Sequence, residues 1–423
     1  MTTPLPTDNV IDVRAYGAVG DGVTDDTVAI KSAVAAVLAS ASYRPDSGMA
    51  LTKKLYFPSG RYLVTQADTL MFTPATTQNT WGASLVYGLE IYGDGKHQSE
   101  IVFASTATAS TDPRRNNLMT CANRLRGAKI HDLGFHSTNA NQSLAYLWCS
   151  ASNDGTYPAY GSGAQNDIWW SELHLTGSWL RGWGFDGDTN ANLNSEQVWH
   201  RVYVNQVAWG DAGIRSGFAP YPAQESQFLN YAFHDCEFEY TSGTMLDFEM
   251  GGSINIIGGS WILCDTTQNT VSTMIKLGKT NIADGSWRFL AQGVRFEVRS
   301  QYHRIIDCGW VTGNVTFVSC SDSALAFMVN QNKRVPDSFP QFGNTSPATH
   351  VYDWTTWGTG PVVRYQDCQL MGYHRVSTNA AMGPTGRVIY DGCQLVTEPQ
   401  ATFLRSSNAV APNVFRDLGL IAS

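Results

Sequence analysis

Two stretches near the end of the chain, "RYQDCQL" (364–370) and "IYDGCQL" (389–395), are copies of one phrase, with Cys368 and Cys393 in matching places. Each alternates apolar and polar residues, sets a small or acidic residue before a buried-type one, and returns to one polar and one apolar residue. The phrase recurs upstream as "KIHDLGF" (129–135), "WSELHL" (170–175), "AFHDCEF" (232–238), "FLAQGVRF" (289–296) and "TFVSCS" (316–321). Aligned on the buried-type position, the series reads Leu133, Leu173, Val202, Cys236, Ser260, Val294, Cys320, Cys368, Cys393, with steps of 24 to 48 residues. A floor with occasional longer steps marks a solenoid, whose coils pair with their neighbours while loops grow outward. Period-two alternation makes each unit a strand. The cysteines of this register, shared with Leu and Val, read as small apolar core residues rather than disulfides or metal ligands.

A second strand follows in several coils: "GWGFDGD" (182–188), "AGIRS" (212–216), "MLDFE" (245–249) and "MIKLG" (274–278). With Phe185, Ile214, Leu246 and Ile275 in the core, the next residues face solvent. Asp186, Arg215, Asp247 and Lys276 then form an outer row of alternating charge, a register that one slipped residue would dissolve.

Composition agrees with an all-β chain. Of 423 residues, 43% are hydrophobic and only 15% charged, and the polar remainder is rich in Gly, Ser, Thr and Asn, which suit short strands and tight turns. A net charge of −8 gives no basic surface for nucleic acid. No run approaches the ~18 apolar residues of a membrane span, and residues 1–15 lack a signal-peptide pattern, so neither membrane insertion nor a signal peptide is expected. Aromatic residues reach 12%, with 13 Trp, enough to make sugar stacking a candidate use alongside core packing.

The opening supplies the end of the solenoid. "VRAYGAVGDGVTDDTVAI" (13–30) runs from a strand through a glycine-rich loop to a helix, with Thr24 as its expected N-cap and Asp25 and Asp26 on the first turn. Ile30, Val34, Val37 and Leu38 mark one helical face, able to cover the exposed first coil. The same stretch fails as a ligand loop. Counting Asp21 as the first position of an EF-hand puts Ser32 where the bidentate glutamate belongs, and "GAVGDG" lacks the Lys-Ser/Thr of a P-loop and the glycine order of a dinucleotide fingerprint.

Together with "LYFPSGRYLV" (55–64) and "LEIYGDG" (89–95), this opening resembles the pectate-lyase-like superfamily of right-handed parallel β-helices, in the branch common among bacteriophage tailspikes and capsule depolymerases. The close match covers roughly the first 105 residues. The resemblance implies a single-stranded right-handed parallel β-helix with an N-terminal capping α-helix, a homotrimer, and a bacterial surface polysaccharide as partner. It also implies a place on the virion tail, acting at the bacterial cell surface. The paired-aspartate and Gly-His-Gly motifs of polygalacturonases are missing, which sets that activity apart.

Glycoside hydrolysis needs two carboxyl groups, about 5 Å apart for retention or roughly 6.5 to 9.5 Å for inversion. Matched outward positions on adjacent coils lie ~4.8 Å apart, and residues i and i+2 of a strand about 6.7 Å. Asp186 with Asp188, or Asp186 with Asp247 across Arg215, therefore fits the inverting window; a solvated salt-bridge ladder is the plainer use of the same residues. Glu239 and Glu297, each three residues past a ladder position and separated by Leu263, form a second candidate pair, and Glu225 in a long insertion a third. Insertions carry aromatic rings suited to sugar stacking: Tyr157, Tyr160, Trp183, Trp209 and Tyr221, with Arg215 as a substrate-binding cation.

His131, His174, His200 and His234 lack metal-ligand spacing, so no metal and no cofactor is expected. The expected organisation is a cap helix and first coils over 1–125, the main β-helix over 126–397, and a cap or truncated stem over 398–423. Virion attachment is assigned to another protein or to a missing N-terminal domain. The leading function is an endo-acting glycoside hydrolase; the alternatives are a polysaccharide lyase, with Arg215 and Lys276 as cations, and a non-catalytic glycan-binding spike.

Overall fold

The structure, a computed structural model, describes residues 9–44, 48–72, 85–106, 108, 110, 112, 115–122, 125–148, 164–185, 193–209, 216–220, 230–248, 252–265, 271–278, 287–299, 303–322, 349–356, 359–370, 374–377, 387–395, 404–407, 415–417 and 421–422. It is a parallel β-helix whose strands pair parallel from coil to coil; among the described residues the one antiparallel pair is Ala41–Arg44 with Gly48–Leu51. The residues form two compact units, 1–215 with 219–227, and 216–218 with 228–423. No helix among the described residues is long and apolar enough to cross a membrane.

The recurring phrase is a corner between two strands. The residue before each ladder position is left-handed: Asp132, Glu172 and Arg201 in the first unit, and Asp235, Gly258, Gly293, Ser319, Asp367 and Gly392 in the second, all with φ between 50° and 67°. That conformation costs an ordinary L-residue about 1–2 kcal/mol, and Gly and Asp tolerate it best. The small or acidic residue of the phrase is thus a requirement of backbone geometry, and the next side chain turns into the lumen.

In the first unit Leu133 pairs with Leu173, and the match of His174 with Tyr203 sets Val202 beside Leu173. In the second, Glu237, Ser260, Arg295, Ser321, Gln369 and Gln394 lie in register, so the preceding residues stack as Cys236, Gly259, Val294, Cys320, Cys368 and Cys393. The expected ladder holds except at Ser260, which gives way to Gly259. "IIGGS" (256–260) offers two consecutive glycines, both with positive φ (67° and 86°); Gly258 takes the corner, so the ladder position falls on Gly259. The stacked cysteines are buried and each donates its thiol around the corner, Cys368 Sγ to the Gln366 carbonyl at 3.3 Å and Cys320 Sγ to that of Val318 at 3.5 Å.

The cap helix runs Thr27–Ala39 and buries Ile30, Ala33, Val34 and Val37 against Val13–Tyr16 and the strands Val10–Asp12, Lys54–Phe57 and Leu70–Phe72. Its N-cap is Asp26 and not Thr24, which ends inside the short strand Asp21–Asp25. The displaced start has a cause. Asp26 is buried and its carboxylate accepts from the backbone N–H groups of Val19 (2.6 Å) and Gly20 (3.2 Å), which pins the glycine loop. Asp21 accepts from the N–H groups of Val23 and Thr24, and Asp25 from Thr27 and Thr65, so the acidic run closes on its own backbone.

Most of the described tryptophans are core residues. Trp170, Trp179, Trp199, Trp261, Trp310 and Trp354 are fully buried. A solenoid without internal helices must fill a wide cross-section from short strands, and flat rings supply most area per residue. In the last segment Leu404–Ser407, Phe415–Asp417 and Ile421–Ala422 pair parallel with His374–Ser377, Arg387–Asp391 and Gln394–Leu395.

Candidate active site

In the second unit the strands Thr244–Asp247, Thr273–Leu277 and Arg304–Cys308 stack with Leu246, Ile275 and Ile306 inward, which places Asp247, Lys276 and Asp307 in one outward row. Lys276 Nζ lies 3.0 Å from Asp247 Oδ2, with the two side chains 35% and 17% exposed. Asp307 is 25% exposed and pairs with Arg304. The register continues through Val351 to Arg375, whose guanidinium is pulled below its usual range by burial and by the Arg304 charge. Asp247 and Asp307 are thus two coils apart, about 9.6 Å along the stack, with a cation between them.

This is the alternating row expected from the sequence, moved on by a coil. Beside Leu246, where the sequence suggested Ile214, stands Phe218. Arg215, Asp186, Asp188, Glu225, Tyr157, Tyr160 and Tyr221 lie outside the described residues. Asp307 was missed although "RIIDCG" (304–309) repeats the "MIKLG" pattern a coil later, with Ile306 answering Ile275.

Glu239 and Glu297 share a row, separated by Ile262 and not by Leu263, because the ladder runs through Gly259. Glu297 is only 5% exposed and is held by Arg295 and by Arg299 Nε at 3.2 Å, while Glu239 accepts from Cys264 Sγ at 3.3 Å. A carboxylate clamped between two guanidinium groups is poorly placed to exchange protons with a substrate.

Trp183 and Trp209 cannot stack on sugars: both are buried, at 0% and 2% exposure. Trp183 lies two residues before Phe185 on the strand Arg181–Phe185 and therefore faces the same way, packing edge-on against Trp170 and Trp199. Trp209 pairs with the buried Trp179.

The first unit does present rings to solvent. Tyr56, Tyr92, His131, Ser171 and His200 form one outward row, with ring centroids 4.9 Å apart for Tyr56–Tyr92 and 5.5 Å for Tyr92–His131. The neighbouring row holds Glu90, Lys129 and Trp169, the last 44% exposed. Burial raises the Glu90 carboxyl, but hydrogen bonds from Lys54 and His131 outweigh it and leave the group below its ordinary range. Tyr56 donates to Asp94, and this bond with partial burial pushes its hydroxyl up to about 12. No single phrase announced this face, because its members come one per coil.

A family model described as rhamnogalacturonase A/epimerase, pectate lyase-like, matches residues 10–239, more than half of the chain. The chain belongs to this family. Membership marks a polysaccharide-acting protein and leaves hydrolysis, elimination and epimerisation open. No curated protein matches the sequence. Among solved structures, this pectate lyase-like chain is similar to the A-module of the mannuronan C-5 epimerase AlgE4 of Azotobacter vinelandii, at 13% identity and a TM-score of 0.45 over 97% of each chain. It is also similar to ORF18 of Geobacillus virus E2 (16%, 0.39, over 98% of this chain and 62% of that one). A third likeness is to the enzymatically active domain of tailspike protein 2 of bacteriophage CBA120 (12%, 0.37, over 98% and 47%). Likenesses at this level do not single out a reaction.

Proposed function

We propose that the chain is an endo-acting glycoside hydrolase that cleaves a bacterial surface polysaccharide, capsule, exopolysaccharide or O-antigen, with Asp247 and Asp307 as its acid pair. The observation that carries this reading is the in-register outward row Asp247, Lys276, Asp307. A spacing of about 9.6 Å between the two strand positions is close to the upper end of the inverting window of roughly 6.5 to 9.5 Å, which leaves room for a water between the carboxylates and the sugar. Lys276 stabilises charge on Asp247, which suits the group that activates water; once Arg304 turns to the glycan, Asp307 takes up a proton from solvent and passes it to the leaving oxygen. The outward ring row of the first unit supports glycan binding by stacking.

A second reading is β-elimination, favoured by Lys276, Arg304 and Arg375 on the same face, since these cations suit a uronic carboxylate. Incubation with polysaccharides of candidate hosts decides. New reducing ends without an ultraviolet-absorbing unsaturated product support hydrolysis, an unsaturated product overturns it in favour of elimination, and binding without shortening makes the chain a glycan-binding spike.

The resemblance of the opening motif to the tailspike branch supports a homotrimer on a phage tail, attached through another protein or domain. Light scattering on the purified chain tests the trimer, and a monomer mass at working concentration removes it.

A further inference from the structure

Two inward columns of the second unit are apolar until one level. Phe238, Trp261 and Phe296 occupy one inward column at successive coils, and the next member is Asp322. In the other sheet Leu246, Ile275 and Ile306 are followed in the same column by His350 and His374. Both columns change character together. Asp322, His350 and His374 are exposed by only 2%, 1% and 0%, and one donor atom from each lies within 4.8 Å of the others.

Orientation adds an independent argument. His350 Nδ1 is 2.9 Å from Thr349 Oγ1, and His374 Nδ1 is 2.8 Å from the Tyr390 hydroxyl. In the tautomer with Nδ1–H donating to these hydroxyls, Nε2 is the atom of each ring suited to a metal, and His350 Nε2 stands 3.5 Å from Asp322 Oδ2. Metal bonds of about 2.1 Å at tetrahedral angles put neighbouring donor atoms about 3.4 Å apart. An outer hydroxyl or carboxylate that fixes the second ring nitrogen is the usual support of a ligating histidine.

We propose that Asp322, His350 and His374 bind a divalent transition-metal ion of the zinc type, which joins the two sheets of this unit from inside the lumen. Two imidazoles and a carboxylate are a donor set suited to such an ion, and its charge balances a carboxylate set among aromatic and aliphatic side chains. The two rings now stack at 3.9 Å and 24°. Because each Nε2 lone pair lies in its ring plane, binding tilts the rings apart. At this depth the ion enters as the coil folds, so binding and folding are coupled.

The test uses the full chain, stripped with a chelator during refolding and returned to Zn²⁺ or Co²⁺. The expected result is uptake of about one ion per chain, a visible ligand-field spectrum with Co²⁺, and a higher unfolding temperature in the metal-loaded form. His350→Leu and His374→Leu, which extend the Leu246, Ile275 and Ile306 column, should keep the strand circular dichroism and lose all three signatures. Asp322→Asn, close to isosteric, should lose them too if either leucine variant fails to fold. Uptake no greater than that of the His350→Leu/His374→Leu double variant, or a Co²⁺ spectrum unchanged by His374→Leu or Asp322→Asn, overturns the proposal. Activity is not the readout, so failure here leaves the hydrolase reading untouched, and the reverse holds.

Discussion

Gly259 and Gly293 occupy neighbouring coils of the second unit and both have positive φ, 86° and 66°, yet alanine should affect them very differently. At Gly293 an added Cβ meets nothing within 4 Å. The substitution there costs the left-handed strain of about 1–2 kcal/mol, partly offset by about 0.4–1 kcal/mol from a stiffer unfolded chain. At Gly259 a Cβ would lie 2.2 Å from the Cys236 carbonyl oxygen and 2.9 Å from its nitrogen. Backbone on the neighbouring coil must move by about 1 Å to restore an ordinary contact. That displacement disturbs two bonds that close this corner, Ser260 N–H to the Cys236 carbonyl and Arg295 N–H to the Gly259 carbonyl, both 3.1 Å. At about 0.5–1.5 kcal/mol each, plus the left-handed strain, Gly259→Ala should cost about 3 kcal/mol or more. Gly293→Ala should cost about 1 kcal/mol or less. Amide hydrogen exchange over Gly252–Leu263 reads the local opening energy, and a difference of about 2 kcal/mol appears as roughly thirty-fold faster exchange. Equal exchange in the two variants, or greater loss in Gly293→Ala, would refute the view that coil-to-coil backbone contact sets the ladder position.

Asp247→Asn and Asp307→Asn should each lower kcat on the host polysaccharide by about 10²–10⁴-fold with unchanged circular dichroism, whereas Glu297→Gln should act mainly on stability; full activity in both aspartate variants refutes the acid pair. Burial first, and the His97 charge second, bring the His174 imidazole down to about 4, so the folded chain resists protonating it. Stability contributed by this group is present above the unfolded value near 6.5 and is lost as the pH falls from there towards about 4; His174→Phe should flatten that part of the unfolding-temperature profile, and an unchanged slope counts against it. Trp183→Ala should cost about 3–5 kcal/mol in denaturant unfolding and Trp169→Ala less than about 0.5 kcal/mol, while Trp169→Ala should weaken retention on immobilised glycan; the opposite order would mean the rings are wrongly placed.

Much of the architecture was legible in single phrases. A left-handed corner needs Asp, Gly or a small polar residue, and the lumen needs the next side chain apolar, so "HDL", "HDC" and "QDC" record a conformation directly. Trp183 could also have been read, since it shares the parity of Phe185 on one strand. The helix start was harder. Thr24 is a good cap by type, but Asp26 is drawn inward by the Val19 and Gly20 N–H groups, a contact of the folded loop.

The sequence by itself determined the coil, its corners, its apolar ladder and the helix over its first turn, because each follows from alternation or backbone preference within a few residues. Tertiary structure decided who stands beside whom on the outer face and in the lumen. Gly259 replaced Ser260, Ile262 replaced Leu263 and Phe218 replaced Ile214, each a shift in pairing that no local preference resolves. Insertions of unequal length separate the phrases, so register is fixed by hydrogen bonds between coils and by packing inside them. That is why Asp247 found Lys276 and Asp307, and why Asp322 met His350 and His374, only in the folded chain.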